Sequence, residues 1–160
     1  MKRLPILLLL CALVFTGCGI TQGNSRFYYP RAEYLFYDPE PVIAWENRDT
    51  AGHAQDLRYL LSQYLMGPLD QNLRSPLPRG TRMVSLEITG ADVTVTVSEE
   101  ADSLSDARFS LAAACLALTV QDCLGSSGQL TLICEDRSFA VTKESLMMYE
   151  EPFPEETESG

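Results

Sequence analysis

Lysine is nearly missing from this chain: after Lys2 only Lys143 remains. Histidine and tryptophan occur once each, as His53 and Trp45. Twelve basic residues face 22 acidic ones, giving a net charge of −10 over 160 residues. Each scarcity excludes something. A surface this acidic repels phosphate backbones and anionic lipid, so neither nucleic acid nor electrostatic membrane adhesion is expected. One histidine and no zinc spacing among the cysteines leave little to build a metal site from, and no cofactor is expected. A Ser-Lys dyad lacks its lysine. Gly125-Ser126-Ser127-Gly128 lacks the lysine and following helix of a phosphate loop. His53 would need a nucleophile and an orienting group beside it to act as a base, and no catalytic set stands out. The chain reads as a non-enzyme.

The apolar content is ample, at 46% with 9% aromatics. That is enough for one domain with a true core, and it argues against disorder over most of the length. Lys2 and Arg3 form a short positive region, and the apolar run from Ile6 to Phe15 is half the length of a bilayer span. It closes in Phe15-Thr16-Gly17-Cys18, which resembles a bacterial lipobox with Phe15 where leucine is usual. In such a box the cysteine is diacylated, with chains such as palmitate, and becomes the new N-terminus. The other reading is an ordinary signal peptide with Cys18 incidental. The lipobox reading gives a signal over 1–17, lipid attachment at Cys18, a polar tether over 18–26, and a membrane-anchored extracytoplasmic domain. Cys115, Cys123 and Cys134 remain, and the first two stand too far apart on one helix to bridge. They read as buried free thiols, with a bridge from one helix cysteine to Cys134 as the other reading if strand and helix pack for it.

The domain is expected over 27–148. Tyr34 to Tyr37 and Val42 to Trp45 read as strands about a Pro-rich turn. Leu57, Leu60, Leu61, Tyr64 and Leu65 make one helical stripe, closed by Gly67-Pro68. Met83 to Ile88, with Val84, Leu86 and Ile88 on one face, and Val93 to Val97 make a hairpin. A second helix, capped by Ser103 or Ser105, runs to about Cys123 and is apolar nearly all round. Leu130 to Cys134 is a strand, with Phe139 to Thr142 returning on it. The tail from Tyr149 carries five glutamates and two prolines in twelve residues and reads as acidic and disordered. The order predicts an α+β sandwich of βαββαβ type, a small mixed or antiparallel sheet with both helices on one face.

A family resemblance rests on the ordered set of Leu61 through Pro68, Ser75-Pro76-Leu77-Pro78-Arg79-Gly80-Thr81, the hairpin over 83–97 and Thr119 in the long helix. Over residues 54–134 the chain resembles the GerMN domain of sporulation and spore-germination proteins, with one unit where GerM has two in tandem. The resemblance implies a structural, lipid-anchored envelope component of a spore-forming Gram-positive bacterium, associating with further copies or with other envelope or sporulation proteins. Independently of it, the aromatics Tyr28, Tyr29, Tyr34, Phe36 and Trp45 are the one candidate interaction surface. They fit either a core or a platform for a partner, a wall fragment or a small molecule.

Overall fold

The structure is a computed structural model and describes residues 23–33, 41–125, 128–142 and 145–146. The signal, Cys18, the strand expected at 34–37 and the acidic tail lie outside the described residues. The fold is α+β: two helices with a two-stranded and a four-stranded sheet. Strands β1 (Asn24–Pro30) and β2 (Ile43–Asp49) pair antiparallel. Helix α1 (Leu57–Leu65) follows, then β3 (Met83–Thr89) and β4 (Asp92–Val97), a 3₁₀ turn (Glu99–Ser103), helix α2 (Asp106–Leu124), β5 (Leu130–Cys134) and β6 (Arg137–Val141). The second sheet has the order β3-β4-β5-β6 and is mixed: β4 and β5 run parallel, joined through α2, and the outer pairs are antiparallel.

The small sheet corrects the expected layout in two places. β1 begins at Asn24, inside the stretch read as tether to residue 26. Its alternation is strand-like once seen, since Ser25, Phe27 and Tyr29 are buried and Asn24 and Arg26 exposed. The described partner of β2 is therefore β1, and the sheet is two sheets instead of one. α2 packs against β1 as well as β5 and β6, while α1 packs against α2 and β3.

Helix α1 buries Leu57, Leu60, Leu61 and Tyr64, the stripe its periodicity announces. Asp56 caps it by accepting the Tyr59 N–H, and Gly67 leaves it at a φ of +89° that an L side chain resists. α2 is long and apolar enough to cross a membrane by length and composition. Here it is the core helix, with Ala112, Ala113, Ala114, Cys115 and Leu116 all buried. Its alanines let Val93, Val95 and Val97 of β4 and Leu130, Leu132 and Cys134 of β5 close on the core. Ser105, not Ser103, is the N-cap residue, without a side-chain capping bond.

β3 departs from simple alternation. The register shifts between Met83 and Ser85, so Val84 is the extra residue of a bulge and stands 65% exposed. Met83, Leu86 and Ile88 oppose the inward Val97, Val95 and Val93. The expected face of Val84, Leu86 and Ile88 thus loses Val84 and gains Met83.

The threonine of α2 has a defined task. Thr119 is buried, donates to the Cys115 carbonyl (2.9 Å) and accepts the Tyr28 N–H (3.1 Å). It closes the edge of β1 that β2 does not pair. Thr119→Val keeps the shape and orphans that N–H, so it should cost about 1–3 kcal/mol in urea unfolding. Thr119→Ser should cost distinctly less. Equal losses for the two would mean the bond does not matter.

Candidate interaction site

The two faces of the small sheet differ in chemistry. On the inner face, Tyr29 is fully buried and stacks on Tyr64 with centroids 4.6 Å apart. Its hydroxyl donates to the Tyr64 carbonyl (3.0 Å). Tyr29 is therefore a core residue and drops out of the expected interaction surface, because β1 turns it toward α1. Beside it Arg48 and Glu46 form an ion pair whose side chains are only 8% and 9% exposed. Arg48 also donates to the Gln63 and Gly67 carbonyls at the end of α1 and to the Tyr29 hydroxyl. Its guanidinium lies 4.7 Å from the centroid of Phe27. The Glu46 carboxylate in turn accepts the backbone N–H groups of Leu69 and Asp70. One salt bridge so joins β2, the end of α1 and the loop after Gly67-Pro68.

That loop is tied to the far end of β1 as well. Arg31 bridges Leu73, the Ala32 N–H donates to Asn72 O (2.7 Å) and the Arg74 N–H donates to Pro30 O (3.0 Å). Asp70 holds Asn72 through both its backbone N–H and its side-chain amide. Between loop and sheet lies an open cleft of about 480 Å³ lined by Trp45, Arg31, Glu33, Asp70, Gln71 and Asn72, among others. Trp45 points to the outer face of β2 and is 48% exposed, with the Arg26 guanidinium 4.7 Å from its ring centroid. Arg26 is placed in turn by Asp122 at 3.9 Å. Of the expected aromatics, Trp45 lines this cleft, Tyr28 is half-buried opposite it in β1, and Tyr34 and Phe36 lie outside the described residues. The polar lining was not anticipated. Its signal in the sequence is weak, since Asp70-Gln71-Asn72 looks like any solvated turn.

No family model matches the chain. No curated protein matches it either. One solved structure it resembles is that of a Clostridium perfringens protein provisionally described as a lipoprotein. The likeness covers 79% of this chain and 91% of that one, at 16% identity and a TM-score of 0.49.

His53 stacks on Tyr59 (4.5 Å) with Nδ1 3.7 Å from Asp56 Oδ2, and both side chains are about half exposed. Among the described residues no hydrogen bond links the His53 ring to a serine or threonine hydroxyl. Cys115, Cys123 and Cys134 are free thiols. Burial pushes the Cys115 thiol well up, so it stays protonated and unreactive. Cys123 is only half-buried, against the expectation of three buried thiols, and donates to the Ala54 carbonyl.

Proposed function

We propose that this is a lipid-anchored extracytoplasmic module of GerMN type, without catalytic activity. It would work by docking to other envelope proteins, or to copies of itself, during sporulation or spore germination. The observation that carries the anchor is the charge-free run from Ile6 to Phe15 ending in Thr16-Gly17-Cys18, with only six residues from Cys18 to the first strand. Two acyl chains on that cysteine bind far more firmly than one, each buried methylene adding about 0.8 kcal/mol. The sporulation role is supported by the Gly67-Pro68, Ser75-to-Thr81 and Thr119 pattern. Gly67 and Thr119 both serve the small sheet, one through Arg48 and one through Tyr28.

The test is where a fluorescently tagged chain sits through growth and sporulation, beside its Cys18→Ala version. Membrane fractionation of the substituted chain should show it released, with acyl-label incorporation lost. Enrichment at the forming forespore envelope, lost with Cys18, would support the whole reading. Even distribution over the vegetative membrane would keep the anchor and remove the sporulation role. Retention of Cys18→Ala on the membrane would remove the anchor. A second reading, a ligand-binding lipoprotein for wall fragments or a small molecule, is favoured by the half-exposed Trp45 at the cleft.

A further inference from the structure

The cleft beside Trp45 has a composition that selects among ligands. We infer that it binds a neutral glycan chain, such as the N-acetylated sugar strand of a cell wall, and that it faces away from the bilayer. The first half deepens the ligand-binding reading given above and rests on it; the second half rests on the anchor at Cys18.

Among the described residues the lining supplies one aromatic ring and a group of planar polar side chains. A sugar ring has an apolar face of C–H groups, which stacks on an indole, and a rim of hydroxyls spaced for carboxylates and amides. Trp45 offers the ring, one face of which the Arg26 guanidinium covers. Glu33, Asp70, Gln71 and Asn72 offer the planar groups, with Arg31 beside them. Asp70 and Asn72 are already fixed to each other, and Glu46 holds the backbone of Asp70. The loop is thus set before any ligand arrives, which lowers the entropy lost on binding. An apolar peptide would ask for deep apolar pockets, whereas the other apolar lining among the described residues is Ala32, Ala44 and the buried Leu73. Among the described residues an anionic wall polymer would meet two carboxylates and one guanidinium in the cleft of a chain whose net charge is −10. A neutral polyol is what remains.

Orientation follows from chain length. The six Cα-to-Cα steps from Cys18 to Asn24 reach at most about 20 Å. The seven residues of β1 then carry the chain about 20 Å further. The cleft lies at the Pro30 end of β1, through Arg31, Leu73 and Arg74, and so opposite the tethered end.

Trp45 is the sole tryptophan, so its emission reports this cleft alone. Full-length chain in detergent would be titrated with the hexamer of N-acetylglucosamine, and separately with a wall stem pentapeptide. The expected result is a saturable change in Trp45 emission with the hexamer and none with the peptide. Gln71→Ala, whose side chain lies at the surface, should weaken binding about tenfold while keeping the reporter. Trp45→Ala, followed by calorimetry, should abolish it. No saturable response to the hexamer, a response to the peptide alone, or hexamer binding unchanged in both variants would overturn the inference. None of these outcomes touches the Cys18→Ala fractionation, so failure of the cleft and failure of the anchor are read separately.

Discussion

Arg48→Met should lower the unfolding free energy by about 3–5 kcal/mol, the loss typical of breaking a buried pair by removing one partner. Methionine keeps much of the apolar stem but not the guanidinium that lies over Phe27 and Tyr29. It removes every donor. Glu46 would be left charged with its side chain 9% exposed, and the Gln63 and Gly67 carbonyls would lose the group that ends α1. The same change loosens the loop to Asp70, because Glu46 without its partner is a poorer fixed acceptor for the Leu69 and Asp70 N–H groups. Urea unfolding of the single variants and of Glu46→Gln/Arg48→Met would apportion the effect. The double variant should recover part of the loss, since no charge is then stranded. A loss below about 1 kcal/mol for Arg48→Met would place the pair with ordinary surface salt bridges.

Alkali should unfold the protein steeply. Tyr29, Tyr64 and Cys115 meet in the core, and burial raises the pKa of all three. The Arg48 guanidinium pulls Tyr29 the other way without winning. Among the described residues the Tyr64 hydroxyl is buried without a hydrogen-bond partner of normal geometry, beside the Cys115 thiol, and Arg48 only weakly offsets the cost of a negative charge there. For a group whose folded pKa is raised, the stability it confers is complete below the unfolded pKa. It is lost as pH climbs toward the folded value, because the unfolded chain gives up its proton first. Cys115 starts this at about pH 8.5 and the tyrosines join near pH 10. Each group contributes about 1.4 kcal/mol per pH unit, so the three together cost about 4 kcal/mol per unit above pH 10. Against a usual total of about 5–15 kcal/mol, unfolding is expected by roughly pH 11–12. Circular dichroism from pH 8 to 12 would follow it. Cys115→Ala should reduce the loss between pH 8.5 and 10, leaving the part that comes from Cys123 and Cys134, whose thiols burial also raises. A fold unmoved to pH 12 would contradict the burial argument.

The helices and the β3–β4 hairpin were legible because their signals are local. The stripe of α1 and the nearly continuous apolar surface of α2 need no partner to be recognised, and α1 closes where Gly67-Pro68 says it should. β1 was not legible as a strand from its first residues: Asn24-Ser25-Arg26 is polar, and only pairing with Arg48 and Asp49 makes it β. Tyr29 and Tyr28 are neighbours of equal propensity, and which one enters the core depends on where α1 lies. The bulge at Val84 inverted one residue of an otherwise well-read face. Glu46 and Arg48 look like a solvated strand end, since period two puts two opposite charges on one side without saying which side is inside. Their burial comes from the end of α1, remote in sequence, and so does the fixed loop that forms one wall of the cleft.

The placing of β1 also has a mechanical meaning. A chain held by its N-terminus and engaged at the Pro30 end carries load along β1 itself. The bonds to β2, and the one to Thr119, are then strained together in shear, not peeled one at a time. Tension between a membrane and whatever grips the far end would meet the fold along its stiffest direction. The same strand that starts the domain would serve as its spar.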